Sequence, residues 1–424
     1  MSEWKEYKLG DICNKVTSGG TPNTRKDEYY GGLIPWVRTQ EVNFNRLYDT
    51  EIKISEEGLH NSSAKWIPEN SVIIAMYGAT AGKVAINKIP VTTNQACCNL
   101  IIDHKKSDYR FIYYNILSRF SSIANMAVGG AQQNLNAGMI KELSIFLPSL
   151  PTQTAIAEIL SSLDDKIELN NKINQELEAL AQTLFKQWFI DFEFPNENGE
   201  PYKSSGGEMV ESELGEIPKG WVVERLGDHL YIKGRIGWKG LKKSEYLQDF
   251  EGYSIVNGSD FQNEQIDYFS CGWIPKERFD DSPEIQLKLN DILITKDGTI
   301  GKLAFVNRLN NPTSVASGVF VVRANSEKVS TFFCWSFFKS PYFQSLVKSR
   351  IDGSVIPHLY QKDFVEMFIP LPSISILHEF EIRVKAIFEL IFEKKEESKE
   401  LGMLRDTLLP KLISGELEIN EIRN

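Results

Sequence analysis

No run in this 424-residue chain reaches the roughly 18 consecutive apolar residues of a membrane-spanning helix, and the opening MSEWKEYKLG lacks an apolar signal core. A cytoplasmic protein without membrane association is the expectation. Cys13, Cys97, Cys98, Cys271 and Cys334 are odd in number and form no Cys-x-x-Cys pair. That excludes a zinc ribbon or a disulfide framework and fits a reducing compartment. The five histidines are scattered, and no His or carboxylate cluster has metal-ligand spacing. Gly78-Ala-Thr-Ala-Gly82-Lys83 fails as a phosphate loop: it has too few residues between its glycines, and Val84 stands where a Ser or Thr must reach magnesium. Gly298-Thr-Ile-Gly301-Lys302-Leu303 fails in the same way. No glycine-rich dinucleotide loop follows a strand. Asn311-Pro312-Thr313 is a poor substitute for the Asn/Asp-Pro-Pro-aromatic tetrad of an amino methyltransferase, and Glu51-Ile-Lys53 lacks the upstream Pro-Asp of a metal nuclease. The chain offers no catalytic centre, no metal site and no cofactor site of its own.

Positive charge is also short, with 47 Lys and Arg against 57 Asp and Glu, a net charge of −10. The deficit is uneven. Residues 1–150 carry 16 basic against 14 acidic side chains, whereas residues 151–205 carry 4 against 10. A basic face on the globular parts therefore remains compatible with the sequence, although unaided binding to DNA should be weak.

Thr152 to Asp191 contains neither Pro nor Gly, and at about 1.5 Å per residue it predicts a helix roughly 60 Å long. Its apolar positions follow a heptad seam: Leu160, Leu163, Ile167, then Asn170 and Asn174, then Leu177, Ala181, Leu184 and Trp188. The element recurs. At an offset of 224, Leu147-Pro148-Ser149 maps onto Leu371-Pro372-Ser373, and the seam maps onto Val384, Ile387, Ile391, Lys394, Ser398, Leu401, Arg405, Leu408 and Leu412. Both seams are apolar at the ends and polar in the middle. They match best when paired centre to centre, parallel or antiparallel.

What precedes each helix is duplicated as well. Trp4 with Leu9-Gly10-Asp11 corresponds to Trp221 with Leu226-Gly227-Asp228, and Asn70-Ser-Val-Ile-Ile-Ala to Asn290-Asp-Ile-Leu-Ile-Thr. Lys83-Val-Ala-Ile corresponds to Lys302-Leu-Ala-Phe, aromatic-rich helix candidates follow from Ser107 and Ser330, and each segment closes on a Leu-Pro strand. The predicted organisation is a tandem duplication: a globular domain over 1–148, a helix over 149–194, a Pro, Gly and Glu-rich extended linker over 195–220, a second domain over 221–371 and a second helix over 372–424. The fold class is α+β.

The loops carry groups suited to reading base edges. Thr39-Gln40, Asn94-Gln95 and Gln132-Gln133-Asn134 supply amides that can pair bidentately with adenine, and Arg38, Lys239, Lys242 and Lys243 can reach guanine or phosphate. Lys83 and Lys302 sit on Gly-rich tips, where they either approach phosphate or form a solvated turn. Tyr77, Thr80, Asn257, Lys296, Thr299 and His358 complete the DNA-facing candidates. Trp188, Phe189, Phe192 and Phe194, at the helix end, are expected as exposed aromatics for docking a partner.

These features resemble the specificity subunit of type I restriction-modification enzymes. The likeness rests on Ile34-Pro-Trp-Val-Arg38, on LPSLPTQTAIAEILSSLDDKI from Leu147, on Leu180-Ala-Gln-Thr-Leu-Phe-Lys-Gln-Trp-Phe-Ile-Asp-Phe-Glu193 with its Gly-Glu-Ile-Pro-Lys-Gly-Trp221 sequel, and on Leu404-Arg-Asp-Thr-Leu-Leu-Pro-Lys-Leu-Ile-Ser-Gly-Glu-Leu417. The second domain departs from it, with Tyr253-Ser-Ile-Val-Asn-Gly-Ser-Asp260 in place of the Ile-Pro-Trp pattern. The resemblance implies two target recognition domains, each reading one half of a split double-stranded DNA site. It also implies an antiparallel coiled coil of the two helices with pseudo-twofold symmetry, docking two methyltransferase subunits. Restriction and translocase subunits would join the complex, and S-adenosylmethionine, ATP and Mg would belong to those partners. A stand-alone DNA-modifying enzyme and a structural coiled-coil scaffold are the alternative readings.

Overall fold

The computed structural model describes residues 4–128, 134–235, 241–248, 252–352 and 358–419, the side chains of 127, 128, 243 and 350–352 excepted. The chain divides into two compact units, residues 1–169 with 398–424, and residues 170–397.

The first unit is built on a five-stranded sheet in the order Cys13–Ser18, Cys97–Ile102, Val72–Ala75, Val84–Asn87, Asn45–Leu47. All four residues of Val72–Ala75 are buried. That is why the strand reads as an unbroken apolar run rather than an alternation. A separate three-stranded sheet runs in the order Lys53–Ile54, Tyr30–Val37, Thr92–Thr93. Lys5–Lys8 pairs antiparallel with Ser144–Leu147, so the first and last strands of the domain are partners. Leu150–Phe189 then forms the long helix, with Thr152 N–H reaching Ser149 Oγ at 3.4 Å as a cap.

The second unit repeats the plan. Its four-stranded sheet runs Leu230–Gly234, Val319–Ala324, Ile292–Thr295, Leu303–Phe305, its three-stranded sheet Gly272–Ile274, Tyr253–Val256, Thr313–Val315, and Val222–Arg225 pairs with Phe368–Leu371. Even the turns into the central strands agree. Asn70 and Asn290 both adopt positive φ, 60° and 71°, a conformation Asn tolerates better than most residues. The second long helix spans Ile374–Ser414 and ends at Gly415, whose φ of 75° closes it.

None of the eighteen heptad positions on the two helices is exposed. Within the first unit Ile156, Ala157 and Leu160 share a core with Leu409, Leu412 and Ile413, and Arg405 Nη1 donates to Asp164 Oδ1 at 2.7 Å. Within the second, Asn170 Nδ2 donates to Glu397 Oε2 at 3.0 Å, Lys395 Nζ to Glu178 Oε1 at 3.0 Å, and Phe185 and Trp188 pack on Phe380. As residue numbers rise along one helix, those of its contacts fall along the other.

Two expectations are corrected here. Trp188, Phe189 and Phe194 are only 4%, 3% and 4% exposed, and half-buried Phe192 packs edge to face on Trp221 at 5.4 Å. These aromatics belong to the core of the second unit and do not form an exposed docking surface. The reason is that the helix end is packed on a second side, by Trp221 and Phe333, besides its contact with Phe380 of the other long helix. Nor is 195–220 an extended linker. Met209–Ser212 and Gly215–Pro218 form a hairpin, Ile217 is buried, and Phe194 stacks between Tyr202 and Trp221 at 4.6 and 5.3 Å.

Candidate nucleic-acid interface

The candidate loops issue from strand ends, and backbone hydrogen bonds tie them together. In the first unit Asn94 N–H donates to Val37 O (2.9 Å), Met76 N–H to Ala96 O (2.8 Å) and Leu135 N–H to Met76 O (3.1 Å). The second unit has the same three bonds: Ala316 N–H to Val256 O (2.9 Å), Lys296 N–H to Gly318 O (2.9 Å) and Leu359 N–H to Lys296 O (3.1 Å). One scaffold is therefore present twice, gathering the tips after Ala75 and Thr295 with three neighbouring loops.

A carboxylate organises one of these loops in each unit. Arg38 N–H donates to Glu41 Oε2 at 2.9 Å across the turn Thr39–Glu41, and Asn257 N–H to Asp260 Oδ2 at 2.7 Å across Gly258–Asp260. Glu41 also accepts from Glu51 N–H at 2.9 Å, and Arg38 Nη2 donates to Glu51 Oε2 at 2.5 Å. Sequence reasoning passed over Glu41 and Asp260. Their signal was the acid three residues after each loop's first member, a capping box.

The two tip lysines are engaged within the protein. Lys83 Nζ donates to Asn43 Oδ1 at 2.7 Å and lies 5.6 Å over the Phe44 ring. Lys302 Nζ donates to Phe261 O at 2.5 Å and Gly258 O at 3.3 Å, 5.9 Å over Phe261. Each lysine thus clamps the neighbouring loop, a role neither the phosphate reading nor the solvated-turn reading foresaw.

Among the other candidates, Tyr77, Gln40, Gln95 and Thr299 are exposed, and Thr39 and Thr80 half-buried. Gln95 Oε1 accepts from Thr21 Oγ1, and Thr80 Oγ1 donates to Tyr77 O at 3.3 Å. Asn94 turns its Oδ1 inward to Ala96 N–H at 3.1 Å, so its side chain serves the turn. Lys296 Nζ lies 5.0 Å over Phe320, and His358 Nδ1–H donates to Asp297 Oδ1. Lys242 stands apart on its own turn, where its N–H is held by Glu245. Gln132, Gln133, Lys239 and the Lys243 side chain lie outside the described residues.

Burial pushes all five cysteine thiols well above their ordinary range, so none is a ready nucleophile at neutral pH. Among the described residues no helix is long and apolar enough to cross a membrane. The loop clusters are suited to recognition: hydrogen-bonding side chains on a rigid backbone frame, the frame constant and the side chains different.

A family model described as the type I restriction modification DNA specificity domain matches residues 1–179 and again 218–399. The chain is similar to the type I restriction enzyme MjaIX specificity subunit of Methanocaldococcus jannaschii, at 29% identity over 99% of this chain and 95% of that relative. The HindI specificity subunit of Haemophilus influenzae is 24% identical, covering 98% of this chain and all of that relative. In fold it resembles a crystal structure of the S subunit of a type I restriction-modification system from M. genitalium, with a TM-score of 0.60, 18% identity, and coverage of 97% and 96% of the two chains.

Proposed function

The chain belongs to the type I restriction modification DNA specificity family, and from that premise we propose that it is the subunit that reads a split, asymmetric DNA target for a type I restriction-modification complex. Each unit's loop cluster reads one half-site. The observation that carries this is the duplicated hydrogen-bond frame bearing unlike side chains: Arg38 answers to Asn257, Tyr77 to Asp297 and Asn134 to His358. One geometry with two chemistries reads two different sequences. The reading of the DNA lies with this chain, and the chemistry with its partners, which bring S-adenosylmethionine, ATP and Mg.

The two long helices are read as an antiparallel coiled coil, supported by the falling order of their contact partners within each unit. Partner docking is assigned to a stripe that occurs on both. Leu180 and Leu404, related by the same offset of 224, are each 47% exposed. Exposed Glu176, Ala179 and Thr183 flank the first, and exposed Glu400, Met403 and Thr407 the second. Apolar residues spread outward at matching places on two helices fit two copies of one partner, the methyltransferase subunit; restriction subunits join through it.

Methylation-site mapping with the reconstituted complex tests the reading. It predicts a target of two unlike halves around unread base pairs, and a complex that methylates every adenine or cytosine irrespective of context would refute it. Leu180→Arg alone should leave a complex with one methyltransferase subunit, and Leu180→Arg with Leu404→Arg none, as native mass spectrometry would report. Two bound copies in the double variant would move the docking surface elsewhere.

A further inference from the structure

At the tip of the second unit's loop cluster stands an exposed carboxylate, Asp297, with 49% of its side chain open to solvent. On a surface that meets a polyanion such a group is unfavourable, because like charges repel and the acid must shed water without gaining a cation. Its setting does not relieve this. Lys296, next to it, turns its ammonium over the Phe320 ring, and no lysine or arginine pairs with Asp297 among the described residues. What does hold Asp297 is geometry. His358 Nδ1–H donates to its Oδ1, and the His358 ring sits 4.5 Å from Tyr360. The backbone bond from Leu359 to Lys296 O fixes the two loops against each other. Gly318 borders the other side, where a Cβ would come 3.9 Å from Oδ2. Oδ2 receives no hydrogen bond among the described residues. The tip itself is free to approach another molecule closely: Gly298, with φ of 69°, has nothing within 4 Å of its Cβ direction.

Resting on the function proposed above, we infer that Asp297 is a specificity-determining residue, whose Oδ2 accepts a hydrogen bond from the exocyclic amino group of a cytosine in the major groove, and that His358 is its positioning residue. Cytosine N4 is the major-groove edge that offers a donor alone, and a carboxylate is the side chain that matches it. The bond to His358 occupies Oδ1 and sets the rotamer before DNA arrives, so little ordering cost falls on binding. The first unit has Tyr77 at the corresponding place, and Asn134 opposite it where His358 stands here. The two half-sites should therefore differ at the base pair this residue reads.

The test uses the assembled complex and a set of duplexes in which each base pair of the mapped target is changed in turn. Asp297→Ala should lose discrimination at one C·G pair of one half-site, by roughly ten- to hundredfold. The other half-site, unchanged, serves as the control that the variant is folded and assembled. His358→Ala should blunt discrimination at that same pair. His358→Asn, whose amide N–H can take the place of Nδ1–H, should restore it. If Asp297→Ala alters affinity for all duplexes alike, or changes nothing, the inference is overturned while the wild-type preference leaves the proposed function standing. If the wild-type complex itself prefers no base pair, the proposed function falls first.

Discussion

The two units attach their domains to the long helices by different chemistry at equivalent positions. In the first helix Asp164 and Glu168 face the domain: Tyr114 Oη donates to Asp164 Oδ2 at 2.5 Å, Tyr48 Oη to Glu168 Oε2 at 2.7 Å, and Arg46 reaches Asp165, Glu168 and the carbonyl of Ser161. In the second helix the same offset of 224 sets Phe388 and Phe392 there. Phe332 stacks on Phe388 at 5.5 Å and 6°, and Phe305 on Phe392 at 4.8 Å and 25°. At these two positions one domain is held by directional bonds between few atoms, the other by area. The division is not absolute, because Lys339 and Lys395 share Glu178 and Glu264 in the second unit. In both units buried apolar residues join helix and domain, Ile156, Ala157 and Leu160 in the first and Phe380, Val384 and Phe388 in the second, so what differs is the chemistry at these two positions and not the placing of the domain on its helix.

Breaking the aromatic side should cost most. Phe388→Ala removes a fully buried ring and should lower the second unit's stability by about 3–5 kcal/mol, with faster amide exchange in Thr331–Lys339 and none of that change in the first unit. If exchange rises equally in both, the units do not hold their domains independently. On the polar side Asp164→Asn loses the charge that Arg405 pairs with and weakens the bond from Tyr114, a loss of about 1.5–3 kcal/mol. That loss should shrink in high salt, whereas the Phe388→Ala loss should not. Equal salt responses in chemical denaturation would erase the distinction.

Alkali sharpens the comparison further. Burial, reinforced by Asp164, raises the Tyr113 and Tyr114 phenols well above their ordinary value of 10.0. A group whose folded value is raised contributes fully below its unfolded value and is lost as pH climbs toward the folded one. The first unit's attachment should therefore weaken above pH 10.0, seen as a falling melting temperature that Tyr114→Phe suppresses. The attachment made of phenylalanines has no such group. In acid the second unit is the one at risk. Burial pushes Glu178 up, but Lys339 and Lys395 outweigh it and leave the carboxyl below its ordinary value of 4.5. Its contribution is present above that value and lost as pH falls below it. The smallest effect is expected at the tips. Lys83→Met and Lys302→Met should each cost about 1 kcal/mol and loosen the clamped loops at Asn43 and at Gly258–Phe261. A melting temperature left untouched by both would mean the clamps carry no stability.

The duplication, the seam and the Leu-Pro strands were legible in the sequence because each rests on periodicity or on repetition at a fixed offset. Leu160, Asn170, Asn174 and Trp188 are buried, as their heptad spacing requires. Phe189 was misjudged for a related reason: a heptad accounts for one side of a helix, and this ring also faces a second neighbour that no period announces, while Phe194 lies beyond the helix end and stacks on Tyr202 and Trp221. The 195–220 segment misled by composition, since its Glu, Gly and Pro content hides buried Ile217, and the residues that fold it down, Phe194 and Trp221, stand just outside its two ends. At the loops the sequence pointed to segments that backbone hydrogen bonds tie together, but not to what the side chains within them hold. Asn94 spends its amide on its own turn, the lysines spend their ammonium groups on carbonyls and Asn43, and Asp297 gained meaning only once His358 was seen beside it.

The pairing of first and last strands has a consequence for how such a chain can be rearranged. Lys5 lies opposite Leu147 and Val222 opposite Leu371, so each domain starts and finishes at one spot, beside the root of its helix. A module whose ends meet can be excised and replaced by another with the same spacing, or opened elsewhere and rejoined there, without re-routing the backbone. New target sequences would then arise by exchanging whole cassettes, leaving the helices and the surfaces they present untouched.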